Sequence, residues 1–299
     1  MTAGRLVFGA EKPSLEMSAA GRGALLNPRL EALDIPPLFV TAFIDPAIAA
    51  QRGQEALVAR YPLALVPQDN HEKSITWKDR VRKHNSRIIL LGYQQVAHET
   101  TVPGPGHRIL RGAKDTYIRY PSGRVPDIAR PPRKWPLFDY RKAEWQDAFL
   151  EACAAVLKSY PYAGLFLDNC TVFNAHHPDP IVREQLREAL QQSLIELRRM
   201  FPDTILIGNS SRQWTGLNGE MNEGRLKALR KEGKSFSGHA QPEMDLFMTY
   251  LKSPNDNDLL RKRLKAALRN GFMFGAAVTP QKVLWFDEFD EVIDAYANA

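Results

Sequence analysis

Two acidic residues stand where short apolar segments of the sequence end. Asp168 follows the apolar run Leu165–Leu167, and Glu223 lies beside a glycine in the stretch Met221–Arg225. If both segments are strands of one parallel barrel, their carboxyl groups reach the same rim. Mutual repulsion and a low-dielectric setting would then separate the two pKa values, so that one group is ionised and the other protonated. Cleavage of a glycosidic bond needs such a pair.

Each of the two residues also has a simpler explanation when it is taken alone. Asp168 could cap a helix or bond to a loop, and Glu223 could be an exposed turn charge paired with Arg225. The pair is therefore more informative than either member.

Polar and aromatic residues at the ends of other apolar segments could bind a substrate. Tyrosine rings pack on the faces of sugars, whereas amide and carboxylate groups bond to hydroxyls. Ordinary packing or loop hydrogen bonding explains each of these positions equally well. The predicted substrate-binding residues are Tyr93, Gln94, Asn169, Asn209, Asp69 and Arg225.

Eight segments of strand character alternate with helical segments after residue 36. The predicted strands cover residues 37–44, 63–67, 87–94, 164–167, 204–208, 219–223, 244–250 and 272–278. The sixth and seventh have weaker patterns, and residues 244–250 could also be helical. The alternation predicts an α/β protein, a single-domain (β/α)8 TIM-type barrel with its site at the carboxyl ends of the strands. A doubly wound open sheet is the alternative.

Amphipathic helices are predicted between these strands. Apolar residues such as Trp145 and Phe149 fall three or four positions apart and form one stripe. Asp179 followed by Pro180 is a preferred helix start. A helix-like stretch runs from the end of the first strand to Arg60, and the other predicted helices cover residues 73–85, 141–160, 180–201, 258–269 and 285–296.

A long stretch rich in proline and glycine, residues 98–136, interrupts the alternation after the third strand. Within it, Thr116–Tyr120 and the following Pro121-Ser122-Gly123 predict a hairpin. Irregular stretches of this length inside a compact domain are usually functional or disordered. We predict that residues 37–299 form the barrel, while the N-terminal segment 1–36 has no predicted place.

Composition excludes several classes of protein. The 299 residues are 44% hydrophobic and 25% charged, so the chain can bury a large core and is neither disordered nor a disulfide-stapled miniprotein. No apolar run approaches the roughly 20 residues of a membrane helix. Met1–Ala10 lacks the pattern of a signal peptide. The location is therefore left open: secreted or periplasmic if a leader has been trimmed from this sequence, and cytoplasmic otherwise. The net charge of +6 permits acidic partners without demanding nucleic acid.

The sequence contains no complete cofactor-binding or metal-binding motif, so we predict no cofactor and no metal. Gly104-x-Gly106 lacks the third glycine of a dinucleotide loop, and Gly233-Lys234-Ser235 has Ala228 where a phosphate loop needs glycine. No Gly-x-Ser-x-Gly elbow is present. Two further pairs carry no zinc spacing: His176-His177 is predicted to be a solvated loop pair, and Cys153 and Cys170 are predicted to be buried.

Four short motifs together carry a family resemblance over about residues 37 to 285. They are Leu91-Gly92-Tyr93, Phe138-Asp139-Tyr140 with Trp145 downstream, Gly164-Leu165-Phe166-Leu167-Asp168-Asn169, and Asn222-Glu223-Gly224. They resemble the glycoside-hydrolase-like barrels, which are similar to endo-α-1,4-polygalactosaminidases and bacterial exopolysaccharide hydrolases. In this sequence Ala163 stands where that family usually has an upstream aspartate.

The resemblance implies a barrel with an aspartate after strand four and a glutamate after strand six, which Asp168 and Glu223 match. It implies a glycosidase acting on a bacterial-type polysaccharide, with Asp168 as nucleophile, Glu223 as general acid/base and a retaining mechanism. Asp139 also matches a family aspartate, but we expect it to cap the helix that starts at Arg141. The alternative is a non-catalytic carbohydrate-binding barrel or pseudoenzyme. A nucleic-acid partner is not expected, and the oligomeric state is left open.

The long stretch after strand three also suggests a preference for substrate charge. Residues 98–136 hold eight basic and three acidic residues, and they leave the predicted rim near Asp168. A positive overhang would attract an anionic glycan, so we expect an acidic or acetylated polysaccharide; a solvated basic loop unrelated to substrate is the alternative. The residues expected to act are Arg130, Arg133 and Lys134.

Overall fold

The computed structural model describes most of the chain beyond residue 32. It describes residues 33, 35–42, 54–67, 72–100, 104–113, 115–127, 135–209, 214–223, 238–278 and 283–297. Within those ranges, no helix is both long and apolar enough to cross a membrane. Most of the predicted N-terminal segment 1–36 lies outside the description.

Eight parallel strands follow one another around a closed barrel. Each strand pairs with the next in chain order. The last strand meets the first, because Phe274 pairs with Leu38 and its amide donates to the carbonyl of Pro37 at 2.9 Å. The predicted (β/α)8 barrel is therefore confirmed, and a doubly wound sheet with open edges is excluded. The strands are β1 Phe39–Thr41, β2 Leu63–Val66, β3 Ile89–Gln95, β4 Gly164–Asp168, β5 Ile205–Asn209, β6 Gly219–Glu223, β7 Leu246–Leu251 and β8 Met273–Val278.

Helices cover the outside of the barrel and bury their apolar faces against it. On the helix Ala143–Ser159, for example, Trp145 and Phe149 stack with ring centroids 5.0 Å apart. The predicted Asp179 cap is confirmed, since its carboxylate accepts from the Ile181 amide at 2.8 Å. The described α-helices are α1 Gln54–Val58, α2 Glu72–His84, α3 Pro105–Gly112, α4 Ala143–Ser159, α5 Pro180–Met200, α6 Asn257–Arg269 and α7 Asp287–Ala297.

The stretch after β3 contains a helix, α3, that the sequence did not predict. Pro105 occupies its first turn, where a missing amide costs nothing, but Gly106 and Gly112 weaken its helical propensity. Packing compensates, because Gly106 sits directly against Gln94 of β3 and the backbone of Ala152 in α4. Tertiary contact therefore forms this helix in spite of its composition.

The hairpin predicted at Thr116–Tyr120 is only partly present. Tyr120 and Arg124 close a turn through their backbones at 2.8 Å. The antiparallel partner of Tyr117, however, is Phe138 rather than a residue just beyond the turn. Residues 116–118 and 136–138 thus form a small antiparallel patch next to α4.

Strand register aligns the carboxyl ends of β3 to β7 at one rim. Gln95 pairs with Asp168, Asn209 pairs with Met221, and Glu223 pairs with Met248. Because every strand runs in the same direction, the side chains at these ends meet at the mouth of the barrel.

Candidate active site

Asp168, the last residue of β4, is surrounded by hydrogen-bond donors. Its Oδ2 accepts from the Tyr93 hydroxyl at 2.7 Å and from Gln95 Nε2 at 3.3 Å. Its Oδ1 accepts from the Asn169 amide at 2.9 Å and from Asn209 Nδ2 at 2.7 Å. Donors from two strands and the following loop thus reach both oxygens of the carboxyl group. These hydrogen bonds fix the orientation of Asp168 at the rim.

Asn209 joins this carboxylate to a second one. Its Nδ2 donates to Asp168 Oδ1 at 2.7 Å and to Glu223 Oε1 at 3.0 Å. The two oxygens therefore lie no farther apart than the sum of these distances, which is under about 6 Å. A single neutral amide thus links the ends of β4 and β6 from the strand between them.

Glu223 sits in a setting that favours its protonated form more than usual. Its side chain keeps an exposed surface, but the protein around the carboxyl group desolvates it and raises its pKa. The negative charge of Asp168 raises the pKa further, while hydrogen bonds from Asn209 and Tyr250 oppose the rise. The two carboxyl groups consequently face different electrostatic surroundings within one site.

Tyr93 provides a donor that does not lose its proton at physiological pH. Burial raises the pKa of its phenol well above the usual range, and the charge of Asp168 adds to the rise. Gln95 Nε2 donates to the same hydroxyl oxygen at 3.2 Å. The hydroxyl is therefore directed at Asp168 by its neighbours.

A second layer lies behind the Asp168 carboxylate. Asn169 adopts a left-handed backbone, with φ at 51°, and its Nδ2 reaches Asp168 Oδ2 at 3.2 Å and His98 Nε2 at 3.5 Å. His98 Nδ1 lies 2.8 Å from the carbonyl of Glu99, and its ring stacks on Trp135 with centroids 4.9 Å apart. Burial lowers the pKa of His98, which favours the neutral ring that can accept from Asn169.

The structure brings together most of the residues predicted from strand ends. Asp168, Glu223, Tyr93, Asn169 and Asn209 all belong to the network described above. The predicted substrate-binding residues Asp69 and Arg225 lie outside the described residues.

Gln94 lies away from this network. Its side chain is buried on the outer side of β3, against Gly106 of α3, and its Nε2 donates to the carbonyl of Gln95 at 2.7 Å. Side chains alternate along a strand, so Tyr93 and Gln95 share the inner face. The glutamine that reaches Asp168 is therefore Gln95, whereas Gln94, which was predicted to bind substrate, faces away from this site.

Four residues of the network were missed by the sequence reasoning. Gln95 could have been found by counting two positions from Tyr93 along the strand. Tyr250 similarly follows Met248, the partner of Glu223, by two positions. For His98 and Trp135 no local signal exists, because their contact depends on how the stretch after β3 folds back.

Two predictions about single residues, Asp139 and His176, are wrong. Asp139 does not cap the following helix, which begins at Ala143; it binds the Arg141 guanidinium through both oxygens at 2.8 Å. His176 is buried rather than solvated, and its Nδ1 accepts from the Phe173 amide at 2.9 Å.

Both cysteines, Cys153 and Cys170, are buried as predicted.

The basic stretch after β3 is described only in part. The described cations Arg108, Arg119 and Arg124 are exposed, and Arg111 lies 3.4 Å from Glu99. Lys114 and the three residues predicted to act on a substrate, Arg130, Arg133 and Lys134, lie outside the described residues.

One group in the described ranges has metal-ligating atoms close together. The ligating atoms of His239, Glu243 and Asp245 lie within 4.8 Å of one another, and all three residues are buried. His239 Nδ1 pairs with Glu243 Oε1 at 3.1 Å, and Asp245 accepts from the Glu220 amide at 2.8 Å. Asp245 precedes β7, so the group lies at the rim opposite the carboxylate pair. Its hydrogen bonds account for its geometry.

Sequence comparison does not assign this chain to a family. No protein-family model matches the sequence, and no curated protein matches it.

Solved structures match the fold over most of the chain. The glycoside hydrolase domain of PelA from Pseudomonas aeruginosa aligns over 81% of this chain and 94% of its own length, with 18% identity and a TM-score of 0.53. The α-galactosidase TtGalA from Thermus thermophilus aligns over 89% and 62%, with 13% identity and a TM-score of 0.58. The α-L-fucosidase isoenzyme 2 from Paenibacillus thiaminolyticus aligns over 88% and 49%, with 12% identity and a TM-score of 0.54. At these identities the likeness concerns architecture, and this chain therefore has a barrel fold that glycoside hydrolases also use.

Proposed function

We propose that this protein is a glycoside hydrolase whose catalytic pair is Asp168 and Glu223. The observation that carries the proposal is the Asn209 amide that bonds to both carboxylates at one rim of the barrel. Hydrolysis of a glycosidic bond requires two carboxyl groups held this close, one of them with a raised pKa.

The surroundings of each carboxylate support a division of roles. Asp168 accepts hydrogen bonds from five donor groups, which hold its carboxyl group in one orientation, as a nucleophile requires. Burial and the charge of Asp168 raise the pKa of Glu223, which suits a general acid. We therefore assign Asp168 as the nucleophile and Glu223 as the acid/base.

The distance between the groups supports a retaining mechanism. Retaining glycosidases hold their carboxyl groups roughly 5–5.5 Å apart, whereas inverting enzymes leave roughly 6.5–9.5 Å for a water molecule. The bound of under about 6 Å between Asp168 Oδ1 and Glu223 Oε1 agrees with the shorter class.

The reaction then proceeds in two steps. An Asp168 oxygen attacks the anomeric carbon while Glu223 transfers its proton to the departing glycosidic oxygen, which gives a covalent glycosyl-enzyme and a free alcohol. In the second step Glu223, now ionised, removes a proton from water as that water attacks the same carbon. This step releases the sugar from Asp168 and restores both groups to their starting states.

The expected substrate is a bacterial-type polysaccharide, and the structural neighbours agree with a carbohydrate only at the level of the fold. The test is incubation with a panel of acidic, neutral and acetylated bacterial exopolysaccharides, followed by measurement of new reducing ends. Asp168→Asn and Glu223→Gln should each lower turnover at least about a thousandfold without unfolding the protein.

The matched control is Glu196→Gln on α5, which removes an exposed carboxylate paired only with Arg199 among the described contacts. This variant should keep full activity. Binding without turnover in the wild type would favour the carbohydrate-binding alternative. Wild-type rates in both folded site variants would show that the assignment is wrong.

A further inference from the structure

Tyr250 occupies an unusual place for a large aromatic residue. It lies near the carboxyl end of β7 and is 38% exposed, whereas the other exposed large apolar side chains of the described residues, Ile181, Ile195 and Met200, lie on α5. Its hydroxyl lies within hydrogen-bonding reach of the Glu223 carboxylate and influences the pKa of that group. Tyr250 is thus a partly exposed aromatic residue at the barrel mouth whose hydroxyl lies next to the Glu223 carboxylate.

The strand register explains how Tyr250 reaches Glu223. Glu223 pairs with Met248 on the neighbouring strand, and Met248 is buried in the barrel. Tyr250 lies two positions farther toward the rim, so it shares the face of Met248 and is the next side chain beyond it. β7 is therefore fixed against the strand that carries Glu223.

Glu223 is consequently held from both neighbouring strands. Asn209 donates to its Oε1 from β5 at 3.0 Å, and Tyr250 binds it from β7. The titratable groups with the largest influence on Glu223 are Asp168 from β4 and Tyr250 from β7, while Asn209 from β5 is neutral. Two hydrogen bonds from opposite sides fix the direction of a short side chain better than one does.

We propose that Tyr250 is a positioning residue that orients Glu223 for proton transfer. The inference rests on the proposed function, because it gives Tyr250 a role only if Glu223 is the acid/base. The carboxyl group must face the leaving oxygen in the first step and water in the second. A donor on the flank of the carboxyl group holds that direction in both steps.

The hydroxyl keeps its proton throughout the working range of pH. Although the ring is partly exposed, the protein around the Tyr250 hydroxyl desolvates it and raises its pKa, and the nearby charges of Glu223 and Asp168 raise it further. Tyr250 therefore acts as a hydrogen-bond donor and takes no part in acid–base exchange. Because its bond stabilises the ionised form of Glu223, removal of the hydroxyl raises the pKa of that carboxyl group.

The test compares Tyr250→Phe with wild type on any polysaccharide the enzyme cleaves. We expect kcat to fall about tenfold, the effect of losing one hydrogen bond to a charged group, with KM nearly unchanged. The alkaline limb of the pH profile should move to higher pH, since Glu223 keeps its proton longer. Carboxyl-carbon NMR of Glu223 should show the same upward movement in the absence of substrate.

The matched control is Tyr117→Phe, because Tyr117 also donates to a glutamate, Glu99, but lies in the stretch after β3. It should leave kcat and the pH profile unchanged. If Asp168→Asn and Glu223→Gln abolish turnover while Tyr250→Phe keeps both the wild-type kcat and the wild-type Glu223 titration, the inference about Tyr250 is overturned and the proposed function stands. If the two carboxylate variants stay active, the proposed function fails, and the inference fails with it.

Discussion

Substitution of Gly164 by alanine tests the link between the barrel wall and the site. Gly164 opens β4 and pairs with Ile205 of β5. A Cβ atom at this position would lie 1.9 Å from the Ile205 carbonyl oxygen and 2.7 Å from its carbonyl carbon. These atoms are backbone, so no side-chain rotation can relieve the clash.

The size of the effect follows from this geometry. A carbon–oxygen contact normally needs roughly 3.3 Å, so the two strands must separate by more than about 1 Å. Overpacking of this kind costs roughly 1–3 kcal/mol, and loss of the adjacent bond from the Ile205 amide to Ala163 adds about 1 kcal/mol. We expect Gly164→Ala to lower the free energy of unfolding by about 3 kcal/mol. Because β4 carries Asp168 and β5 carries Asn209, the 2.7 Å bond between them should weaken as well.

Urea unfolding followed by circular dichroism measures the change in stability. Gly112→Ala is the control, because a Cβ there meets nothing within 4 Å and alanine is the better helix former by roughly 0.5–1 kcal/mol. The control should equal or slightly exceed wild-type stability. If Gly164→Ala lost less than about 0.5 kcal/mol, the described approach of β4 to β5 would be wrong.

Three further predictions concern the site, a helix start and the response to acid. Asn209→Ala removes a hydrogen bond that lowers the pKa of Glu223, so the alkaline limb of the activity profile should move to higher pH; a shift to lower pH would contradict the bridge. Asp179→Ala should cost about 1 kcal/mol of unfolding free energy, since its carboxylate caps the Ile181 amide; equal melting curves would show that the cap is dispensable. Burial lowers the pKa of His176 from 6.5 to about 4, so the folded state holds this side chain neutral. The resulting stability is fully present above pH 6.5, and about 3 kcal/mol of unfolding free energy is lost as pH falls toward 4. His176→Gln should flatten stability curves measured across that interval, and an equally steep curve would assign the acid response to other groups.

Strand ends could be predicted from sequence because a parallel barrel leaves little freedom there. The segment Gly219–Glu223 is polar, yet its place in the alternation predicted the strand with the bounds the structure has. Asp168 and Glu223 then had to reach the same rim. Which side chains of β3 face the inside of the barrel was harder to predict. An error of one position placed Gln94 in the site, whereas Gln95 contacts Asp168.

Contacts that depend on chain reversal could not be predicted. α3 is short and contains two glycines, and only its packing on β3 and α4 makes it a helix. Likewise, His98 meets Trp135 because the chain returns along an antiparallel patch that pairs His98 with Leu137. Periodicity and short motifs describe local sequence, so they do not predict contacts between residues this far apart in the chain.

The stretch after β3 sets a limit on how this barrel can be re-engineered. Leu110, Ile118, Leu137 and Phe138 belong to the same buried cluster as Trp145 of α4. His107 Nε2 accepts from the Gln95 amide at 3.1 Å, so α3 also ends the hydrogen bonding of β3. Excision of residues 98–136 to obtain a minimal barrel would uncover an apolar surface on α4 and leave the Gln95 amide without this acceptor. The described part of this stretch is an integral wall of the protein, and loop-exchange designs should take their variable positions from the exposed turn at residues 121–124 instead.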